Sequence, residues 1–464
     1  MRQGSVLLAL ALSPCLVAAC SGAPPEAPAR LGEGVLLPPV PTATASVPGP
    51  HDCPVVLEAR DVLKKHAAAF GAPSAVAASL PRVIRSEVET AGKRGKSELV
   101  LDRTRHRVET LVGGVWTVSG VDAEGAWEIG APGVLVRLRP DESASVMALP
   151  WLFRRAYVDG FVPSRDEASC KLEAGRARAV LRYHLPAVGD PELAFDVETA
   201  ELVRASFATA DGRRSTTEFV AWSDPEDGIR YPAATKTTHP VSEPDEEHFT
   251  AHAPGAACEG VGGARRDEHD CFSPPPPRLV TTWPAAPIVR PAMRLYLGEL
   301  SVRASLGSRE VFALLDSGAG LTALDATTPA GASFTPSIEL SGTGSSQKVK
   351  YGLGEVPAIT FGGIRYEHVP VVSVPIPALD VYGPRRPEVI LGYSMFLGAA
   401  VRVDYARSIL ELARRADTLK RAGAVAVPFH VWDDKWIVDV DVDGVSAPLE
   451  LDTGNNGGID LVKT

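Results

Sequence analysis

The stretch FALLDSGA, Phe312 to Ala319, runs apolar residues straight into an aspartate, and a similar stretch, LELDTGN, returns at Leu449 to Asn455. An ionised carboxylate at the end of an apolar strand is costly to bury unless it is paired or hydrogen-bonded. Taken singly, Asp-Ser-Gly is ordinary turn chemistry. The second copy changes the weight of the first. A shift of 136 positions puts Asp316 on Asp452, Leu315 on Leu451 and Gly318 on Gly454. The same shift puts Val302, Ala304 and Leu306 on Val438, Val440 and Val442, and Met293, Leu295 and Tyr296 on Phe429, Val431 and Trp432. The alternating apolar face is kept without a gap, which a chance turn does not predict and an internal repeat does.

Downstream of the first copy lies EVILGYSMFLGAAVRVD, Glu388 to Asp404. An apolar triplet ends at Gly392, and alternating Val401 and Val403 lead to a further strand, SILEL. Together with DSGA at Asp316 to Ala319, this pattern resembles the retropepsin-like aspartic peptidases of the exported bacterial branch. The resemblance implies a β-barrel lobe over 288–415 and the start of a second lobe over 424–464. It implies catalytic carboxylates at Asp316 and Asp452. Ser317 and Thr453 would lock the two turns together, Gly318 and Gly454 would permit them, and Ile390, Leu391 and Gly392 would pack beneath the first. Hydrolysing an amide without a metal needs a base to activate water and an acid to protonate nitrogen. Two neighbouring carboxyls that share one proton supply both, as the aspartic proteases are known to do. The two lobes pair within one chain or between two copies. SGTGSSQKVKYGLG, Ser341 to Gly354, lies where the family carries its flap and reads equally well as a surface hairpin. Asn455 stands where the family usually has Ala, Ser or Thr. Only 12 residues follow Asp452, whereas Gly392 lies 76 residues past Asp316. The second lobe is therefore expected to be truncated in this sequence, as a fragment or by nature.

The opening MRQGSVLLALALSPCLVAAC has one cation at Arg2, an apolar core and small residues before Cys20. This is the pattern of an export signal over 1–20. Val17-Ala18-Ala19-Cys20 resembles a bacterial lipobox, which implies lipidation of Cys20 and a place in the cell envelope. A plain signal peptide is the competing reading. Residues 21–53 are rich in Pro, Ala and Gly and read as a linker.

Between 54 and 255 the pattern is a helix followed by many short strands. Val55, Ala59, Val62, Leu63, His66 and Phe70 share one helical face, and Gly71 and Pro73 stop it. From Arg82 the period drops to two, through IRSEVET, SELVLD, RVETLV, VWTVSGV and AWEIG, with Gly113-Gly114 as a hairpin turn. An antiparallel curved sheet with a helix resembles the lipoprotein-carrier fold. The segment from Phe195 to Thr238 carries that likeness, which implies a concave apolar surface for an acyl chain or a peptide. The fold class expected for the whole chain is thus mainly β, of α+β type.

Beyond Cys20 the sequence has Cys53, Cys170, Cys258 and Cys271. An even count in an oxidising compartment points to disulfides, with three pairings open and Cys258 to Cys271 the local one. Residues 240–275 read as polar and irregular. His248, His252, Cys258, His269 and Cys271 lack the tight spacing of a zinc site, so no metal is expected. Residues 256–287, with the run Pro274 to Pro277, read as a disulfide loop and stiff linker. The net charge of −10, from 57 acidic and 47 basic side chains, argues against nucleic acid as a partner. The missing Gly-x-Ser-x-Gly elbow argues against a serine hydrolase, the missing Walker pattern argues against a phosphate-binding loop, and no cofactor is expected. Two functions follow. The first is an exported, lipid-anchored aspartic endopeptidase acting on a peptide or protein substrate. The second is a non-catalytic periplasmic lipoprotein that binds lipid or peptide and carries a relic peptidase domain.

Overall fold

The computed structural model describes residues 58–139, 143–163, 165–208, 213–239, 244–255, 258–261, 271–343, 348–432 and 435–455. The export signal, the linker 21–53, Cys20, Cys53 and His269 lie outside the described residues. The fold is mainly β, with short helices against one sheet. Among the described residues no helix is long and apolar enough to cross a membrane.

The first unit is a thirteen-stranded antiparallel sheet running from Arg82 to Pro254. It is two meanders joined in the middle: the first strand, Arg82–Thr90, pairs with the last, Asp245–Pro254. The helix Ala59–Phe70 lies against it and buries Ala59, Val62, Leu63, His66 and Phe70. Ala59, Val62 and Leu63 pack with Trp151, Leu152, Tyr157, Leu181, Phe195 and Phe207 in one core. His66 is a core residue there. Its Nδ1 lies 2.7 Å from the Ala200 carbonyl and its Nε2 2.8 Å from the Tyr157 hydroxyl. Burial lowers its pKa to about 4, so it is neutral. The helices Ala144–Phe153 and Ala156–Gly160, unforeseen in the sequence, close the same core.

The reading of 240–275 as irregular is corrected by the strand Asp245–Pro254, which bonds to both neighbours. Its inward positions carry carboxylates, so no apolar alternation marks it. Asp245 is bonded by Thr90 and His239, and Glu247 by Ser86. His248 and His252 therefore sit on a strand, with His252 stacked on Tyr231 at 4.4 Å. Among the described residues no group of three His, Cys, Asp or Glu is placed to hold a metal.

The segment 256–287 is more than a linker. Cys258 and Cys271 are disulfide-bonded and buried with Val83, Val100 and Phe272 against the sheet. Cys170 is disulfide-bonded as well. Val280–Thr282 is already a strand of the second unit, paired with Ile364–Val374. Leu279 and Trp283 pack on that unit's core.

That second unit is a lobe built on a nine-stranded sheet, with the three-stranded sheet of Ile288–Val289, Ala400–Asp404 and Ile409–Ala413 packed into the same core. Its base is the meander Met293–Tyr296, Glu299–Leu306 and Arg309–Leu315. Past the lobe, His430–Trp432, Lys435–Val442 and Val445–Glu450 form a second meander. The repeat seen in sequence holds in register. Ser301 pairs with Leu314 and Ile437 with Glu450, while Leu306 pairs with Arg309 and Val442 with Val445.

Candidate active site

Each meander ends in an Asp-x-Gly turn, and the fold brings the two turns together within one chain. The first strand, Arg309–Leu315, is held parallel to Val389–Leu391, pairing Leu314 with Ile390 and Leu315 with Leu391. Asp316 N–H donates to the Leu391 carbonyl at 3.0 Å. The triplet thus continues the sheet alongside the turn. Gly392 follows because a Cβ there would lie 2.6 Å from the Leu321 carbonyl carbon.

The turns are cross-bonded with near twofold symmetry. Ser317 Oγ donates to the Leu451 carbonyl at 2.7 Å and accepts from Thr453 N–H at 3.0 Å. Thr453 Oγ1 donates to the Leu315 carbonyl at 2.9 Å and accepts from Ser317 N–H at 3.0 Å. Each hydroxyl therefore ties its own turn to the backbone of the other lobe.

The glycines serve a different purpose from the one expected. Neither Gly318 nor Gly454 has a positive φ, so turn strain does not demand glycine. Space does. A Cβ on Gly318 would lie 2.5 Å from Asp452 Cγ, and one on Gly454 would lie 2.5 Å from Asp316 Cγ. Each carboxyl rests over the glycine of the opposite turn.

Asp316 Oδ1 accepts from Gly318 and Ala319 N–H at 2.9 and 3.1 Å, and Asp452 Oδ1 accepts from Gly454 N–H at 2.7 Å. Burial pushes the Asp316 pKa well up, and the charge of Asp452 and a hydrogen bond to it push the same way. The two backbone donors oppose this without prevailing. Two carboxyls so placed titrate as a pair and hold one proton between them over a range of pH. Such a pair can give a proton and take one at neighbouring oxygens.

Two further groups feel this pair, and sequence reasoning missed both. Glu299 is buried, and burial followed by the charge of Asp452 raises its pKa to about 7. Tyr405 is raised by burial and then by Asp452. The repeat held a signal for the first: Glu299 falls on Lys435, also buried, whose Nζ lies 2.7 Å from Glu450 Oε2. The two meanders differ there in charge. The expected flap is the hairpin Ile338–Thr343 with Lys348–Phe361, in register from Ile338 with Leu353 to Thr343 with Lys348. Its tip, 344–347, lies outside the described residues. Ile390 belongs to the apolar cluster that includes Leu314, Ala319 and Leu321 beside the first turn.

The family model for aspartyl protease matches residues 302–395, a span that includes Asp316 and Gly392. No curated protein matches the sequence. Among solved structures, a retropepsin-like aspartic protease from Rickettsia conorii is 16% identical with a TM-score of 0.21, covering 29% of this chain and 91% of that one. A LolA superfamily protein from Nitrosomonas europaea is 10% identical with a TM-score of 0.31, covering 43% of this chain and 94% of that one. The lobe that carries Asp316 thus matches the aspartyl protease family over 302–395, and that match supports a peptidase-type function for it.

Proposed function

We propose that the protein is an exported, lipid-anchored aspartic endopeptidase whose dyad is Asp316 and Asp452, paired within one chain. The observation that carries this is the cross-bonding of the two turns, with each carboxyl over the other turn's glycine. One carboxylate takes a proton from water as the oxygen attacks the peptide carbonyl. The other carboxyl gives its proton, and the C–N bond breaks with that proton on nitrogen. Ser317 and Thr453 hold the geometry, and Ile390, Leu391 and Gly392 support the Asp316 turn. Because the competent pair holds one proton, activity is favoured at acid pH; the raised Asp316 extends it upward.

The substrate is a peptide or protein segment in the cell envelope, where the lipid on Cys20 keeps the enzyme at a membrane surface. Asp316→Asn and Asp452→Asn should each lower kcat/KM on a peptide library by orders of magnitude while the fold survives. Full hydrolysis by a monomeric Asp316→Asn variant overturns the assignment. Loss in Asp316→Asn but not in Asp452→Asn, with activity rising with protein concentration, replaces pairing within the chain by a homodimer. Mass spectrometry of the mature amino terminus tests Cys20, and an unmodified terminus elsewhere removes the anchor.

A second reading is favoured by one observation. The sheet domain has a pocket, partly open to solvent, lined by Leu149, Leu152, Phe207, Phe219, Trp222 and Phe249 among others. Its largely apolar lining with a few polar groups is that of a ligand site. Lipid or peptide binding there, without hydrolysis, is the function that remains if both Asp variants keep the wild-type behaviour.

A further inference from the structure

The two units share a core. Val88, Val112 and Val115 of the sheet domain pack in one buried cluster with Leu314, Ala319, Leu321, Ile338 and Leu340 of the lobe. The hairpin turn Gly113-Gly114 makes the seam close. A Cβ on Gly113 would lie 2.9 Å from Ile338 Cβ, and one on Gly114 would lie 3.0 Å from Ser337 Cβ. At Gly133 the nearest atom, Pro370 Cγ, would lie at 3.3 Å. All three glycines have positive φ, of 54°, 78° and 74°, so the backbone as well as the space selects them.

Along this seam lies a pocket that is partly open to solvent. Its lobe wall is Leu321, five residues past Asp316, together with Leu353 and Gly354 from the hairpin read as the flap. The sheet domain supplies Val115, Trp116 and Ala131. The interior is apolar. At the rim stand two exposed charges, Arg278, which lies over the Trp116 ring at 4.8 Å, and Glu355, which is 2.8 Å from His368.

We infer that this cavity is a subsite of the peptidase cleft and receives an apolar side chain of the peptide substrate, away from the bond that is cut. The inference rests on the peptidase reading. Its occupant follows from position: Leu321 belongs both to the cavity wall and to the cluster beside the Asp316 turn, and Leu353 and Gly354 belong to the hairpin read as the flap. A substrate strand lying between floor and hairpin therefore presents its side chain to a wall that the barrel lobe alone does not supply. The sheet domain then acts as a specificity element of the enzyme.

Ala131 offers the test, because it lines the cavity from the sheet domain and lies outside the dyad. Ala131→Phe fills the space. The full-length protein and the variant are profiled on one combinatorial peptide library. The wild type should select an apolar residue at one position. The variant should lose about tenfold in kcat/KM on peptides carrying it, while peptides with glycine there are unchanged. Ala131→Val, a smaller change, should shift the preference the same way and serves if the larger variant fails to fold. Cleavage by wild type with profiles identical to those of both variants overturns the subsite and leaves the peptidase reading intact. No cleavage by the wild type overturns both.

Discussion

Replacing Thr453 by valine should loosen the second meander from the lobe more than replacing Ser317 by alanine, although the four hydrogen bonds look symmetric. Thr453→Val keeps nearly the same shape and removes the bonds to the Leu315 carbonyl and from Ser317 N–H. Both orphaned groups lie inside the first lobe, on residues only 1% and 0% exposed. A buried polar group left without a partner costs roughly 1–3 kcal/mol, so the pair amounts to about 2–6 kcal/mol. Ser317→Ala instead orphans the Leu451 carbonyl and Thr453 N–H. Leu451 is 47% exposed and Thr453 is half-buried, so water reaches these groups. Each lost bond then costs only its net worth of roughly 0.5–1.5 kcal/mol, and the total is about 1–3 kcal/mol. The contact of Trp436 with Phe396, 5.2 Å between ring centres, is untouched in both variants. Native-state hydrogen exchange of the amides in Lys435–Val442 and Val445–Glu450 reads the opening free energy directly. Equal effects in the two variants refute the reasoning. So does a Thr453→Val effect under about 0.5 kcal/mol, the scale of an ordinary surface change.

Gly318→Ala should lower kcat/KM for peptide hydrolysis on the order of 10²-fold with both carboxyls intact, since its Cβ, 2.5 Å from Asp452 Cγ, must displace that carboxyl by about 1 Å; unchanged kcat/KM contradicts this. Glu247 is raised from 4.5 to about 7 by burial and then by Asp245, against the Ser86 bond. The folded state therefore holds this proton more tightly than the unfolded chain. The contribution is full below pH 4.5 and is lost as pH rises toward 7. The loss is about 3 kcal/mol, and urea unfolding of Glu247→Gln at pH 4.5 and pH 8 should show that slope flattened. Removing the Cys258–Cys271 bridge, whose cysteines are 13 residues apart, with serine at both positions should lower stability by about 3 kcal/mol; equal denaturant midpoints for the wild type and the double variant speak against it.

Much of the peptidase-like half was legible because strand pairing has a period of two. Once Val302, Ala304 and Leu306 align with Val438, Val440 and Val442, the register of both meanders follows, since a one-residue slip would turn every apolar side chain outward. The helix face Ala59, Val62, Leu63, His66 and Phe70 was legible for the analogous reason at period 3.6. The strand Asp245–Pro254 escaped notice because its inward positions are acidic. Its carboxylates are tolerated only through Ser86, Thr90 and His239, which are remote in sequence or lie on neighbouring strands.

The sequence by itself determined the two Asp-x-Gly turns, the strands leading to them and the glycine after Ile390 and Leu391, because each is written in local alternation or in a repeat. Tertiary structure alone decided that both turns meet within one chain. It also decided that Gly318 and Gly454 make room for the opposite carboxyls rather than for a bend. It placed Glu299 within reach of the Asp452 charge and set Val88, Val112 and Val115 into the lobe's core. These are contacts between residues from about 130 to more than 200 positions apart. Such contacts arise when chain entropy is overcome by burying surfaces together, and no local pattern records which surfaces those will be.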